Sequence, residues 1–149
     1  MKIEDIIKTE SQLPPSRRLI LNLFSTTSWA NDRISEVLKT YDISLPQFNV
    51  LRILRGQKGK PANLSNIQDR MVSKMSNTTR LVDKLIAKGL VERITCPKNR
   101  RKVEITITSQ GMEFLTTLDP IIDKVEQEIT SKLNPEEIEN LTQLLHKLR

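Results

Sequence analysis

The sequence predicts a mainly α-helical fold with one small β-hairpin, that is, an α+β arrangement. Apolar residues recur at spacings of three and four along most of the chain, as on one face of an amphipathic helix. Between residues 90 and 108 the pattern changes, and Val103, Ile105 and Ile107 alternate with polar residues as in a half-buried strand. The predicted order is three or more helices, a hairpin and two further helices.

The part of the chain before the hairpin is expected to contain several helices with recognisable starts. A long helix is predicted to begin at Ser16, directly after a Pro-Pro pair. A second helix is predicted to begin around Ser44, because serine is a good N-cap and a proline follows in the first turn. Asn63 is expected to cap a short helix over residues 64–71.

A further amphipathic helix is predicted over residues 74–88, with Ser73 as its N-cap and Gly89 as the residue that ends it. At about 100° per residue the side chains divide into two faces. The face expected to be buried consists of Met75, Thr78, Val82, Leu85 and Ile86, and the polar face consists of Asn77, Arg80, Lys84 and Lys88.

The wing, our name for residues 90–108, is predicted to be two strands around a basic tip. After it, Ser109 is expected to cap a helix that continues to about Leu133. The last helix is predicted to begin after Asn134, since a proline at the first position and a glutamate at the third complete its start signal.

Positive charge is concentrated in the middle third of the chain. Residues 1–49 hold six basic and six acidic side chains, and residues 103–149 hold four basic and nine acidic ones. Residues 50–102 hold fourteen basic and three acidic side chains, a net charge of +11. A solvated surface is the ordinary explanation of such a run, but this focused excess favours binding to a nucleic acid through counterion release.

The composition argues against several other classes of protein. No apolar run of about 18 residues predicts a membrane span, and the single cysteine fits a reducing cytosol, so a cytoplasmic protein is expected. With one histidine, one cysteine and four glycines, the chain offers no usual metal cluster or phosphate-binding loop. No enzyme, cofactor or metal is therefore expected. Cations near Cys96 could make its thiol a redox sensor, but a small strand residue is the preferred interpretation.

Two short helices joined by a tight turn and followed by a hairpin predict a winged helix-turn-helix that binds double-stranded DNA. The N-terminal half of the second helix would reach base edges in the major groove, while lysines would contact phosphates and the wing tip would enter the minor groove. The expected base-reading residues are Ser76, Asn77, Thr79 and Arg80; the phosphate contacts are Lys74, Lys84 and Lys88; the wing residues are Lys98, Asn99, Arg100 and Arg101. An architectural or protein-interaction module without operator specificity is the alternative.

Four stretches carry a resemblance to a known family: LPQFNVLRIL, ANLSNIQDRM, SNTTRLVDKLIAKGLVER and NRRKVEITITSQG. From about residue 44 to 115 the sequence resembles the MarR family of bacterial transcriptional regulators. The resemblance implies a homodimer that binds a pseudo-palindromic operator, with Arg100 or Arg101 as the wing contact. Asn99 stands where the family commonly has an aspartate.

The resemblance also implies how the rest of the chain is used. Residues 1–43 and 109–149 would form the dimer, and residues 44–108 would bind DNA. The apolar stripes of the terminal helices exceed what a small domain can bury alone, which favours the dimer. A small aromatic or anionic effector is expected to release a repressor from DNA. Phe24, Trp29 and Phe48 are candidates for its pocket, with ordinary core packing preferred for the two phenylalanines.

Overall fold

The computed structural model describes residues 1–149, with the exception of the side chain of Cys96, so the redox expectation for that thiol lies outside the described residues. The mainly helical fold with one hairpin is confirmed. Its elements are α1 (Ile3–Ile6), α2 (Pro15–Lys39), α3 (Leu45–Gly56), α4 (Leu64–Arg70), α5 (Thr78–Ala87), β1 (Val91–Cys96), β2 (Asn99–Ile107), α6 (Ser109–Thr130) and α7 (Pro135–Lys147).

Side-chain caps determine where most of the helices begin. Ser44, Asn63 and Asn134 are the caps of α3, α4 and α7, as predicted, and each accepts a hydrogen bond from the backbone three residues later. All three form capping boxes, of which only that of α7 was predicted. The start of α6 differs in its cap, because Thr108 rather than Ser109 accepts from the Gly111 amide, at 3.0 Å. The helix α2 begins at Pro15, one residue before the predicted start, and α6 ends at Thr130 instead of Leu133.

Helix α3 lies at the centre of the core and packs against α2, α4, α5, α6 and β2. Burying its apolar side stabilises the fold by removing that surface from water. The buried side chains of the core come from all of these elements: Leu38, Phe48, Val50, Leu51, Leu54, Ile67, Val82, Leu85, Ile105, Leu115, Leu118 and Ile122.

A charged pair joins the core to α6. The Arg55 guanidinium donates to both carboxylate oxygens of Asp119, at 2.6 and 3.1 Å. Two parallel charge-assisted hydrogen bonds fix direction as well as distance. The pair therefore sets how α3 is oriented against the C-terminal part of the chain.

The hairpin is antiparallel and contains a bulge near its tip. Thr95 pairs with Val103, whereas the next residue of β1, Cys96, pairs with Asn99, so residues 100–102 lie outside the regular ladder. At the other end of β2, Ile105 exchanges two backbone hydrogen bonds with Ala62, at 2.8 and 2.9 Å. The base of the wing is thus tied to the segment that leads into α4.

None of the helices that the structure describes is long and apolar enough to cross a bilayer.

Substituting Gly111 tests the junction between the wing and α6. A Cβ at Gly111 would collide with the Leu90 carbonyl oxygen and lie 2.7 Å from Ile107 Cγ1. We expect Gly111→Ala to lower the free energy of unfolding by about 2 to 3 kcal/mol, because backbone must shift to make room. Urea unfolding at one fixed protein concentration measures this.

Gly56→Ala is the matched control, since an added Cβ there has nothing within 4 Å. Alanine favours the helix that Gly56 ends, so its stability should change by less than about 0.5 kcal/mol or rise slightly. Equal stabilities for the two variants would contradict the close packing at Gly111.

Candidate nucleic-acid interface

The exposed face of α5 begins later in the sequence than predicted. Helix α5 starts at Thr78, and its N-cap is Asn77, whose Oδ1 accepts from the Arg80 amide at 3.1 Å. The prediction that Ser73 caps this helix is wrong: residues 73–76 form a turn in which the Ser76 amide donates to the Ser73 carbonyl, at 3.3 Å. Asparagine and serine are similarly good caps, so interactions outside the helix decide between them.

Gln68 of α4 supplies those interactions. Its Nε2 donates to the Lys74 carbonyl at 2.6 Å, and its Oε1 accepts from the Thr78 hydroxyl. One side-chain amide therefore fixes both the turn and the first residue of α5. Sequence reasoning missed this residue, because a glutamine on a short polar helix has the same appearance whether it binds a neighbouring turn or water.

The later start of α5 changes the position of Met75. The sequence predicts this residue on the buried face of the helix, but it lies in the turn and its side chain is 94% exposed. Helical periodicity does not apply to a residue outside the helix, and this is the reason for the error. Thr78, Val82 and Leu85 are buried as expected.

The four expected base-reading residues lie together at the start of α5, but they differ in exposure and in hydrogen bonding. Thr79 and Arg80 are exposed on its first turn, and Ser76 is half-buried in the preceding turn. Asn77 is exposed, but its Oδ1 is used by the cap. Its amide NH₂ group is the part of that side chain oriented away from this hydrogen bond.

The three expected phosphate-binding lysines also differ. The Lys74 ammonium donates to the Asp69 carbonyl near the end of α4. The Lys88 ammonium donates to the Asp42 carbonyl and lies 3.6 Å from the Asp42 carboxylate. Lys84 is exposed, and no carboxylate in the described part of the chain lies within salt-bridge distance of it. Lys84 is thus the most available of the three cations.

The wing presents consecutive cations from its bulge. Arg100, Arg101 and Lys102 are exposed and lie in the segment that leaves the ladder, and Lys98 is in the turn before it. Bulges commonly redirect side chains in this way. Asn99 Oδ1 accepts from the Arg101 amide at 3.1 Å, so the amide that stands in place of an aspartate orders the backbone of the tip.

An ion pair couples the wing to α5. The Arg93 guanidinium of β1 donates to the Asp83 carboxylate of α5 at 2.6 Å, and both side chains are partly exposed. In this position the pair contributes little to global stability. Its effect is local, because it links α5 to the first strand of the hairpin.

The aromatic residues expected to form an effector pocket are not brought together. Phe48 is only 1% exposed and belongs to the core, with the Arg52 guanidinium carbon 5.5 Å from its ring centroid. Phe24 and Trp29 lie on α2 and are 69% and 49% exposed. Core packing, the preferred interpretation for both phenylalanines, is confirmed for Phe48 and is wrong for Phe24.

A cavity of about 700 Å³ lies elsewhere, between the end of α2, the start of α3 and the polar face of α5. A smaller one of about 390 Å³ lies beside it, along the first turns of α5. The larger cavity is lined by Ser35, Lys39, Asp42, Ile43, Ser44, Leu45, Pro46, Gln47, Lys84, Ala87 and Lys88. Lys84 lines both cavities.

Comparison with known proteins decides the family. The MarR family model matches residues 43–103. The HTH-type transcriptional regulator TcaR of Staphylococcus aureus (strain Newman) is 32% identical over 114 residues, which are 75% of this chain and 74% of that protein. The chain belongs to the MarR family.

Other members of the family match this chain over a similar length. The multiple antibiotic resistance protein MarR of Escherichia coli (strain K12) is 29% identical over 117 residues, covering 77% of this chain and 79% of that protein. A cysteine-to-serine mutant of E. coli MarR, solved in complex with operator DNA, superposes with a TM-score of 0.77 at 26% identity, covering 93% of this chain and 99% of the other.

A further solved structure shows the same fold. Bordetella bronchiseptica BpsR, whose DNA binding is regulated by 6-hydroxynicotinic acid, superposes with a TM-score of 0.80 at 22% identity. The alignment covers 93% of this chain and 97% of BpsR.

Membership of the MarR family confirms the resemblance found in the sequence. It makes the chain a DNA-binding transcriptional regulator with a winged helix, and not an enzyme.

Proposed function

We propose that the chain is a homodimeric repressor that binds a pseudo-palindromic operator and is released by a small anionic or aromatic effector. The observation that carries the DNA-binding part is a surface made of the exposed start of α5 and the cationic bulge of the wing. The ion pair between Arg93 of β1 and Asp83 in the second half of α5 connects the two elements that bear these residues. The related E. coli MarR mutant is solved in complex with operator DNA, which supports operator binding by this chain.

Within this surface, base reading and phosphate binding fall to different turns of α5. The N-terminal residues of a recognition helix contact base edges in the major groove. Arg80 can donate two hydrogen bonds to one guanine, and Thr79 beside it can bond to several bases. Lys84 lies one turn further along, where a single cation supports affinity without sequence information.

The wing supplies the second set of contacts. Arg100 and Arg101 extend from a backbone that Asn99 orders, which lowers the cost of placing a guanidinium in a narrow minor groove. Lys102 lies 4.0 Å from Glu104, so its charge is partly balanced. Either arginine can make the contact, and Lys98 at the turn is positioned for a phosphate.

Arg80 and Lys84 give opposite predictions in one experiment. The full-length protein is used to select sites from random duplex DNA, and affinities for selected and scrambled duplexes are measured across salt concentrations. Arg80→Ala should lose base preference at its position, by about 1 to 3 kcal/mol for a bidentate guanine contact. Lys84→Gln should weaken all duplexes alike and reduce the salt slope by about one.

Selection that returns two half-sites about one helical turn apart supports the operator proposal. If no palindromic site emerges and binding depends on charge alone, the architectural alternative replaces it. A uniform loss of affinity in Arg80→Ala would instead remove only the assignment of that arginine to base reading.

The dimer part of the proposal is carried by the terminal helices. In α7, all of which the structure describes, no side chain is fully buried, although three of its apolar residues and the C-cap Leu148 recur at helical spacing. On α2, a second group of large apolar side chains is also exposed. These residues are Ile138, Leu141, Leu144 and Leu148 at the C-terminus and Leu19, Ile20 and Phe24 on α2. Exposed apolar surface of this extent typically marks an interface.

Leu144→Glu should break this interface. Leu144 is 62% exposed in the single chain, so a charge is tolerated in the folded protomer but not in an apolar contact. We expect a change from dimer to monomer in sedimentation equilibrium and a large loss of operator affinity. Gln143→Glu adds the same charge to the same helix, at least about 100° around from each of the four apolar residues, and should leave the dimer intact. A Leu144→Glu dimer of unchanged stability would rule out this face.

The effector part of the proposal rests on the 700 Å³ cavity rather than on the three aromatic residues. Lys39, Lys84 and Lys88 line it together with Asp42, which pairs with Lys88, so Lys39 and Lys84 are the cations left to bind a ligand. The N-terminal turn of α3 contributes its positive dipole end. This environment suits a small carboxylate. An anion bound there would attract Lys84, which also faces DNA, and so compete with a phosphate for the same ammonium group.

Lys39→Gln should separate effector response from DNA binding. Release from the selected operator is titrated with a panel of small aromatic acids that includes 6-hydroxynicotinic acid. For an acid that releases the native protein, Lys39→Gln should raise the half-effective concentration about tenfold, as expected for losing one charge-assisted contact. DNA affinity without the acid should not change.

Lys124→Gln on α6 removes an exposed lysine that does not line this cavity and serves as the control. Identical release curves for Lys39→Gln and Lys124→Gln would place the effector elsewhere.

A further inference from the structure

The turn between α4 and α5 presents two apolar side chains to solvent within four residues. Val72 is 91% exposed and Met75 is 94% exposed. Isolated exposed apolar residues are ordinary on protein surfaces. These two are set within the most basic segment of the chain, immediately before the residues that face DNA.

The turn is held in place, so the exposure of Met75 does not come from a loose loop. Gln68 binds the Lys74 carbonyl on one side of Met75 and the Thr78 hydroxyl on the other. The Lys74 ammonium donates to the Asp69 carbonyl, which is a second contact between the turn and α4. Met75 is thus presented outward on backbone that is already ordered, which reduces the entropy cost of a contact made there.

Only one base offers an apolar group in the major groove. The C5 methyl group of thymine projects there, whereas the other base edges present hydrogen-bond donors and acceptors. A methionine side chain is long, unbranched and polarizable, and it adapts its shape to a small apolar partner. Met75 is two residues before the N-cap Asn77, at the end of α5 that carries Thr79 and Arg80.

We propose that Met75 packs against a thymine methyl group in the operator and selects for thymine at that position. The inference rests on the proposed function, in which the start of α5 enters the major groove. It assigns apolar readout to a residue that precedes the helix, beside the hydrogen-bonding readout assigned to Arg80. Val72 is closer to α4, directly after its C-cap Met71, and is not assigned this role.

Removing one thymine methyl group at a time from the DNA tests the contact. In the duplex selected from random DNA by the full-length protein, each thymine is replaced in turn by deoxyuridine, which removes only the methyl group. The native protein should lose about fourfold in affinity at one thymine per half-site, the ratio that corresponds to burying about one methylene-sized group. Met75→Ala should bind the thymine and uracil duplexes equally, and Met75→Leu should retain the discrimination.

Val72→Ala is the matched control, because it removes an equally exposed apolar side chain from the same turn. It should remain as sensitive to uracil as the native protein. The proposal is overturned if no uracil substitution affects the native protein, if Met75→Ala keeps the native sensitivity, or if Val72→Ala loses it instead. Failure to select any specific duplex would be a different result, since it would remove the proposed operator binding itself.

Discussion

Packing around α3 is the constraint on which the proposed DNA-binding surface depends. Phe48, Leu51 and Leu54 are buried against helices and a strand that come from widely separated parts of the chain. Because α4, α5 and β2 all contact this one helix, a single core sets their relative positions, and direct contacts of α5 with α4 and with β1 add to it. The polar face of α5 is exposed because the opposite face is needed for this core.

Polar contacts then fix the two ends of α5 within the arrangement that the core sets. The N-terminal end of α5 is fixed by Gln68 and by its own cap, and its C-terminal end is fixed by Lys88 on Asp42. Asp42 lies in the connection between α2 and α3, with a positive φ of 53°. The angle of α5 is therefore linked to the end of α2, a helix whose exposed apolar residues we assign to the dimer. The cavity at this junction lies where a ligand would act on both.

Much of this arrangement could be predicted from the sequence, because the signals were local. The capping boxes of α3, α4 and α7 depend on residues within three positions of each other. The start of α5 could not be predicted in this way, since the choice between the comparable caps Ser73 and Asn77 depends on Gln68, whose partners are six and ten residues away. Helical periodicity predicts a buried Met75 only when the helix is assumed to include that residue, and the helix starts three residues later. Nor could periodicity show that Phe24 is exposed, because an apolar side of a helix has the same spacing whether or not another element of the chain covers it.

The exposed apolar residues consequently fall into two groups with different physical meanings. On α2 and α7 they are numerous and lie at helical spacing, which is the basis for assigning them to the proposed interface between two protomers. In the turn before α5 they are two, surrounded by polar and cationic residues, and their area is too small to support a protein interface. A small apolar contact is useful only where charge has already brought the partner into register, and the basic surface around Met75 attracts a partner of that kind.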